Sequence, residues 1–488
     1  MRIIGNDPST PRQAQIVASG TLSTGDAVVV NSDGTVSVAG PTGGTVEQAV
    51  GDAVIFEADR VLYSSVVFDS NSNKIVVSFR DQNNSSYGTA VVGTVSGTSI
   101  TFGTPVVFES AQTSWIAQTF DSNENKVVIC YQDGGNSLRG TAIAGNVSGD
   151  SISFGSAVQF ESGATQYISN TFDSVNNKVV VAYEDDSYGD RGTARVLTVS
   201  GTTISLGSTK IFETGSTEYI SATFDSNAGK VVLAFRDIGN SSYGKAIVGT
   251  VSGTTLSFGA AVIFESASTA WTSVAFDSDA NKIVIAYMDD ANTDKGTAIV
   301  GTVSGTTISF GSPVIYSGST EGNGNSITFD SNANKFVIAY RDNLAGVGKF
   351  VVGTVSGTSI SFGTAVDING SQTNSTGEYL STAFDSSANK VVVAYADFGN
   401  SEHGTATVFQ NAGPGPNIGN YIGTAASGAA DTQRAKINLK GAVDENQSGL
   451  TAGQSYYVQT DGTLGTTPAD PSVFAGTAVA ANKLIVKG

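Results

Sequence analysis

The feature that most constrains this chain is the triplet Phe-Asp-Ser, which occurs seven times at nearly constant spacing. Successive triplets lie 52, 52, 52, 52, 53 and 55 residues apart. They begin at Phe68, Phe120, Phe172, Phe224, Phe276, Phe329 and Phe384. A fixed period of this length indicates a repeat architecture in which every copy is one supersecondary unit.

Each copy has room for four short strands, which we label a, b, c and d in chain order. Strand a ends at the triplet, and strand b is an apolar run from a Lys to an Asp, as in Lys178–Asp185. Strand c begins beside a Gly, as at 296–303, and strand d follows a Ser-Gly-Thr turn, as at 308–316. Four antiparallel strands per repeat predict the blade of a β-propeller, whereas solenoid repeats rarely hold four.

The phase of the repeat predicts how such a ring closes. A d-type strand at 52–57 precedes the first a strand, and the seventh set of strands ends near Phe409 without a d strand. The strand at the start therefore fits the vacancy at the end, and closure removes exposed sheet edges. We expect an all-β, seven-bladed β-propeller over 45–411, with four-stranded blades and closed by the N-terminal strand.

The flanks, 1–44 and 412–488, lie outside the repeat, and a Gly- and Pro-rich segment at 411–416 marks a boundary. Ring closure brings the two ends of the repeat region together, and a host domain tolerates an insertion whose ends are adjacent. We expect the flanks to fold together as a small split β-barrel or β-sandwich domain. The propeller is then inserted into this domain, which lies on the side of the a–b turns.

Both flanks carry Gly-rich patterns of strand and turn. They occur at 18–30, 31–36, 421–425, 449–458, 460–464 and 476–479. These patterns, spanning about 100 of the 488 residues, resemble the small β-barrel modules of tailed-phage virion proteins, especially capsid decoration and fibre-attachment domains of marine phages. The resemblance implies a virion surface protein, assembled in the host cytoplasm, whose flanks bind capsid, tail or fibre proteins. The large inserted propeller departs from the compact form of that family.

Charge and composition exclude several classes of partner. The net charge is −18, which disfavours duplex nucleic acid and anionic membranes, since both attract Lys and Arg. The N-terminus has no apolar stretch of signal-peptide length, and no run approaches the ~18 apolar residues of a membrane helix. We therefore expect no nucleic-acid partner, no membrane partner and no export by an ordinary signal. Self-association into a homo-oligomer stays open.

The single cysteine, Cys130, lies in the apolar run 127–131, so no intramolecular disulfide can form. We expect it to be a buried and inert core thiol.

The loops of a propeller divide between two faces, and one face of this chain varies far more than the other. The a–b turns are nearly identical, whereas the b–c loops differ at 82–87, 134–139, 186–191, 238–243, 290–295, 343–348 and 398–403. Divergent loops on an unvarying scaffold are typical of binding surfaces. We expect this b–c face to point away from the flanks and to bind a host-surface glycan.

Aromatic residues recur on the predicted b–c face, five positions before the repeat Phe in six of the seven units, while the sixth has Gly324. Because every b strand ends in Asp and five d strands end in Glu, the face combines aromatic planes with carboxylates, which together bind saccharides. The candidate ligand-binding aromatics are Tyr63, Trp115, Tyr167, Tyr219, Trp271 and Tyr379. The candidates from the divergent loops are Tyr87, Arg139, Tyr188, Arg191, Tyr243 and His403. The structural alternatives are inter-blade packing for the aromatics and turn capping for the Asp residues.

Catalytic and metal motifs are weak. Three a–b turns begin Asp-x-Asn-x-Asn like a calcium loop, but Lys stands at the sixth place and would oppose the cation, which favours a turn capped by Asp. His403 is the one histidine, and phosphate-loop, dinucleotide and sialidase-type Ser-x-Asp-x-Gly-x-Thr-Trp motifs are absent. We predict no enzyme, no catalytic residue, no metal and no cofactor. A decoration protein without a ligand, and a glycan-degrading enzyme using a carboxylate pair, are the alternatives.

Overall fold

β-Strands form nearly all of the regular structure, which confirms the predicted all-β class. The computed structural model describes residues 12–31, 33–368, 380–468 and 472–487. Its residues divide into two units: one holds the chain through Gln48 and from Ala412 onward, and the other is Ala49–Asn411. In the described ranges, no helix has the length and apolar character needed to cross a membrane.

Strands of the flanking unit come from both ends of the chain. The N-terminal strands are β1 (Gln13–Val17), β2 (Ala27–Val30), β3 (Val36–Val38) and β4 (Gly40–Val46).

The repeat unit is built from 28 strands in one sheet-pairing network. They are β5 (Ala49–Val50), β6 (Val54–Asp69), β7 (Lys74–Asp81), β8 (Tyr87–Ser96), β9 (Ser99–Phe102), β10 (Val106–Asp121), β11 (Lys126–Asp133), β12 (Arg139–Ser148), β13 (Ser151–Phe154), β14 (Val158–Asp173), β15 (Lys178–Asp185), β16 (Arg191–Ser200), β17 (Thr203–Asp225), β18 (Lys230–Asp237), β19 (Tyr243–Ser252), β20 (Thr255–Phe258), β21 (Val262–Asp277), β22 (Lys282–Asp289), β23 (Lys295–Ser304), β24 (Thr307–Phe310), β25 (Val314–Asp330), β26 (Lys335–Asp342), β27 (Val347–Ser356), β28 (Ser359–Phe362), β29 (Val366–Asp367), β30 (Ser381–Asp385), β31 (Lys390–Asp397) and β32 (His403–Gln410). Short 3-10 turns occupy five b–c loops, at Gly134–Asn136, Asp186–Tyr188, Ile238–Asn240, Asp290–Asn292 and Phe398–Asn400.

The C-terminal flank adds eight strands. They are β33 (Gly413–Asn417), β34 (Tyr421–Ala425), β35 (Arg434–Leu439), β36 (Val443–Asp444), β37 (Ser455–Val458), β38 (Leu464–Gly465), β39 (Val473–Ala480) and β40 (Lys483–Val486). Strands of the two flanks pair with each other in the five-stranded sheet β1-β35-β34-β2-β3 and in the ribbon β33-β4, and a second sheet has the order β36-β40-β39-β37-β38. One apolar core joins the two larger sheets, with Val29 from the first and Val458 and Leu484 from the second.

Each b strand pairs with the a strand before it and the c strand after it, as β7 does with β6 and β8. The structure differs from the sequence prediction at strand d, which is divided in most repeats but runs unbroken into the next a strand in β17. Its first part is a separate strand such as β9, and its second part continues into the next a strand, as in β10. The break falls at Gly103, which packs so closely on the carbonyl of Asp150 that a Cβ would overlap it.

Contacts between neighbouring repeats place the core between them. The cluster around Tyr131 of β11 includes Val76 and Ala90 from the preceding repeat, and Tyr131 is fully buried. Because b and c strands bury apolar side chains on both faces, the repeats pack against each other through those faces.

Two further sets of contacts join the beginning and the end of the repeat unit. The first residues of β6 pair with β32, with Val54 opposite Ala406 and Glu57 opposite Gly404. Hydrogen bonds also link the a strands of consecutive repeats, and one of them, from Val66 N to Ser381 Oγ (3.0 Å), joins the first repeat to the last. The other bonds are Gln118 Nε2 to Ser65 O, Asn170 Nδ2 to Ala117 O, Ala222 N to Ser169 Oγ, Val274 N to Ser221 Oγ, Ile327 N to Ser273 Oγ and Thr382 N to Ser326 Oγ.

Candidate functional site

A cavity of about 290 Å³ lies where the a strands begin. Residues from the a strands of all seven repeats line it, each near the start of its strand. They include Tyr63, Trp115, Tyr167, Tyr219, Trp271, Gly324 and Leu380. The a strands thus bring five of the six predicted aromatics into one site, and the sixth, Tyr379, falls outside the described residues.

The five aromatic side chains form a continuous row along the cavity. Ring centroids are 5.4 Å apart for Tyr63 and Trp115, and 4.4 Å apart for Trp115 and Tyr167. The row continues to Tyr219 at 5.2 Å and to Trp271 at 4.9 Å. All five residues are half-buried, so each ring contacts its neighbours and still exposes part of its surface. The structure therefore shows the inter-repeat packing that was the alternative, and ligand binding by the exposed part of the rings stays a prediction.

The backbone at these five positions is left-handed, with φ between 47° and 53°. Bulky residues rarely adopt this conformation. Each aromatic lies in a β-bulge that interrupts pairing between strands a and b, as between Ser114 and Ala117. In the sixth repeat Gly324 occupies the position with φ 97°. That glycine was the one sign in the sequence of the left-handed backbone, and sequence reasoning did not use it.

A second set of side chains lies beside the aromatics and was missed at the sequence level. The penultimate residue of strand b lies beside the row: the guanidinium carbon of Arg80 is 5.7 Å from the Tyr63 ring centre, and that of Arg236 is 5.8 Å from the Tyr219 ring centre. A guanidinium group over an aromatic face is attracted to the ring. Its N–H groups place hydrogen-bond donors beside the ring. The signal was present in the sequence, because this position diverges among repeats and is Glu184 in the third.

The loop candidates are placed elsewhere. Within the described part of the chain, none of Tyr87, Arg139, Tyr188, Arg191, Tyr243 and His403 lines the cavity. All of them except Tyr188 begin a c strand and are half-buried.

Two of the loop candidates, Arg139 and Arg191, are engaged locally. The Arg139 Nε donates to the carbonyl of Ser162 at 3.1 Å, and the Arg191 guanidinium carbon lies 4.5 Å from the Tyr188 ring centre. The structure therefore separates the two predicted groups: the aromatics form one cavity, and the loop residues lie apart from it.

Asp residues at the ends of six b strands act as turn caps. Asp133 Oδ1 accepts from the amides of Gly135 (2.9 Å) and Asn136 (3.1 Å), and Asp397 Oδ1 accepts from Gly399 (3.0 Å). These bonds support the capping interpretation over a role in ligand binding.

Three of the five Glu residues that end d strands accept a hydrogen bond from a tyrosine on the b strand of the following repeat. Tyr131 Oη donates to Glu109 at 2.9 Å, and Tyr183 Oη donates to Glu161 at 2.8 Å. Burial raises the pKa of Glu109, and the hydrogen bond from Tyr131 works against that rise. These carboxylates are therefore part of a hydrogen-bond network between neighbouring repeats.

The a–b turns have the geometry of capped turns. Asp69 Oδ1 accepts from the amides of Asn71 (2.9 Å) and Ser72 (3.1 Å). The Lys at the sixth place is paired outward in the first repeat, where Lys74 Nζ lies 2.8 Å from Asp150. The turn residues thus satisfy one another, which supports the capped-turn interpretation over a calcium loop.

Comparison with known proteins gives similarity in structure only. A scan against models of protein families finds no match, and a search of curated proteins finds none. Among solved structures, a BP39L lectin from Burkholderia pseudomallei has a TM-score of 0.53 at 13% identity, covering 74% of this chain and 98% of that one. A NanB sialidase from Streptococcus pneumoniae (TM-score 0.45, 13% identity, 74% and 70% covered) and a periplasmic gluconolactonase, PpgL, from Pseudomonas aeruginosa (0.45, 13%, 75% and 98%) are more distant. These are β-propeller proteins, and at this identity the likeness to the lectin concerns the fold alone.

Proposed function

We propose that the repeat unit is a seven-bladed β-propeller, closed by the strand that begins at Val54, and that it binds carbohydrate in the cavity at the start of the a strands. The pairing of β6 with β32 and the hydrogen bonds that link the a strands from first repeat to last support the ring. The likeness to the lectin supports the fold.

The observation that carries the binding proposal is the row of five aromatic rings from Tyr63 to Trp271. Sugar rings present patches of C–H groups that stack on aromatic faces, and their hydroxyls need donors and acceptors at the edges. Arg80 and Arg236 supply donors beside the row. A volume of about 290 Å³ is near the lower end for small-molecule sites, which favours one or two terminal sugar units over a long chain.

We propose binding without hydrolysis. Glycoside hydrolysis needs two carboxyl groups that face the same bond, one of them free to donate a proton. Most of the regularly spaced carboxylates of this unit are engaged in caps, in bonds to tyrosines or in an ion pair, as for Asp133, Glu109 and Glu213. The cavity is lined by aromatic, aliphatic, hydroxyl and amide side chains.

The virion setting is a proposal that rests on the flanks. Their strand-and-turn pattern resembles phage decoration and fibre modules, and the strands of the two flanks pair in one sheet. In this proposal the flanking unit attaches the chain to capsid, tail or fibre proteins at the virion surface. Antibodies raised against the full chain should label phage particles in electron micrographs, and particles that stay unlabelled would remove the virion from the account.

A glycan array tests carbohydrate binding directly. The full chain should bind a restricted set of glycans, Trp115→Ala should lose that binding, and Tyr188→Ala should keep it, because Tyr188 lies on a loop outside the cavity. Equal loss in both variants would move the site to the loops. An array without any bound glycan would favour a decoration protein without a ligand.

A further inference from the structure

Three carboxylates converge at the b–c loop of the third repeat. Glu184 is the penultimate residue of β15, Asp186 begins the following 3-10 turn, and Asp190 directly precedes β16. One oxygen of each lies within 4.8 Å of an oxygen of the other two. Among the described residues, two nearby arginines contact other acids. Arg191 lies 3.8 Å from Asp185, and Arg236 of the fourth repeat pairs with Glu218.

Glu184 distinguishes this cluster from an ordinary acidic surface. The residue is only 5% exposed, and its Oε2 is buried without a hydrogen-bond partner among the described residues. A buried carboxylate oxygen without a partner is costly, and it is the kind of group that is normally paired with a cation or a donor. Burial, followed by the charges of Asp186, Asp190 and Glu218, raises the pKa of Glu184 to about 8.

The neighbouring side chain of Gln166 holds one of the carboxylates in place. Its Nε2 donates to both oxygens of Asp186 at 3.1 Å. An amide that fixes the orientation of a carboxylate is a common feature around metal ligands. The cluster thus combines three carboxylates. Asp186 is oriented by Gln166, Glu184 is buried with an oxygen that has no partner in the described part of the chain, and Asp190 has a left-handed backbone (φ 61°).

Only the third repeat has an acidic residue at all three of these positions. At the position of Glu184 the other repeats have Arg80, Gln132, Arg236, Met288, Arg341 and Ala396. The fifth repeat keeps the two loop acids, Asp290 and Asp294, but has Met288 in place of the buried Glu. It offers a natural comparison in which the fold is the same and one ligand is missing.

We propose that Glu184, Asp186 and Asp190 bind a Ca²⁺ ion at the b–c loop of the third repeat. Carboxylate oxygens are hard ligands that suit Ca²⁺ and Mg²⁺ rather than softer metals. Mg²⁺ demands near-octahedral geometry and is usually bound by one or two carboxylates, whereas Ca²⁺ accepts more oxygen ligands in flexible geometry. Three carboxylates at one loop therefore favour Ca²⁺, with water filling the remaining coordination positions. This site is separate from the a–b turns, where the sequence favoured an Asp-capped turn over a calcium loop.

The test is calorimetric titration of CaCl₂ into the full chain after removal of divalent ions with a chelator. The proposal expects one bound Ca²⁺ per chain, weaker binding of Mg²⁺, and a rise in melting temperature with Ca²⁺. Glu184→Gln should weaken Ca²⁺ binding at least tenfold, while Asp290→Asn in the fifth repeat should leave it unchanged.

The melting temperature of each variant in chelator separates loss of a ligand from loss of the fold. Gln has nearly the same shape as Glu and carries no charge to bury, so without metal the Glu184→Gln variant should melt close to the wild-type temperature. Absence of binding heat and of any melting shift at millimolar Ca²⁺ would overturn the proposal. Binding that is unchanged in Glu184→Gln would overturn it equally.

Discussion

At the scale of single residues, the left-handed backbone beneath the aromatic row can be tested at Tyr167, where φ is 47°. Tyr167→Ala and Tyr167→Gly both remove the ring, but only Gly adopts this conformation without strain. We expect Tyr167→Gly to be more stable than Tyr167→Ala by about 1 kcal/mol in denaturant unfolding.

Tyr243 supplies the control for that comparison, because it is a half-buried tyrosine that is not among the residues with positive φ. There the order should reverse, with Ala more stable than Gly. The same order at both positions would show that backbone strain at Tyr167 does not contribute.

Cys130 gives a second test at this scale. The side chain is fully buried, Asn170 Nδ2 lies 3.3 Å from its sulfur, and burial raises its pKa to about 12. Since the thiolate is the reactive form, the native chain should resist alkylation by iodoacetamide at pH 8 and react fully in denaturant. Mass spectrometry measures the modified fraction, and rapid labelling of the native chain would contradict the buried position.

At this scale the sequence predicted residue identities better than residue roles. The period located Tyr63 through Trp271 as one set, because the same position recurs in each repeat. It could not reveal the bulge that turns these rings into the cavity, since a bulge depends on pairing between strands. The loop residues Arg139 and Arg191 diverge between repeats, yet their guanidinium groups contact their own loops.

At the scale of the strand, Gln118 on β10 joins two repeats through buried hydrogen bonds. Its Nε2 donates to the carbonyls of Ser65 (2.6 Å) and Val76 (2.7 Å), and its Oε1 accepts from Ser78 (2.7 Å). Gln118→Met keeps the volume but leaves these groups unpaired. Each unpaired buried group costs roughly 1–3 kcal/mol, so we expect a loss of about 3 kcal/mol or more in the free energy of unfolding.

The control for Gln118 is Gln112→Met on the same strand, at an exposed position. It should change the stability by less than about 0.5 kcal/mol. Similar losses in the two variants would show that the buried hydrogen bonds between repeats do not stabilise the fold.

The order of strands within each repeat followed from the hydrophobic pattern, but the division of strand d did not. Its break at Gly103 depends on the turn of the neighbouring repeat, which is distant in sequence. Local patterns predict strands well where packing is within the repeat, and they fail where a neighbour sets the path of the backbone.

At the scale of the whole molecule, the proposed closure can be tested with a matched pair of phenylalanines. Phe56 at the start of β6 packs against Gly404 of the last repeat, and its ring centroid lies 5.1 Å from that of Phe79 and 5.6 Å from that of Phe102. Phe108 has the same place in the next repeat, 5.2 Å from Tyr131.

If the start of β6 completes the last blade, Phe56→Ala and Phe108→Ala should each lower the free energy of unfolding by roughly 3–5 kcal/mol. The two variants should also lower the melting temperature by similar amounts. A change at Phe56 that is much smaller than the change at Phe108 would mean that the strand does not contribute to a closed ring.

The chain's two tryptophans, Trp115 and Trp271, both lie in the aromatic row, so intrinsic tryptophan fluorescence reports on the proposed sugar site alone. The most direct test is to titrate the full chain with the glycans that it binds on an array, while following tryptophan emission. The account predicts a saturable change in emission that Trp115→Phe reduces and Tyr188→Ala leaves intact. Glycan binding that leaves the emission unchanged would contradict it, because the sugar would then lie away from these rings.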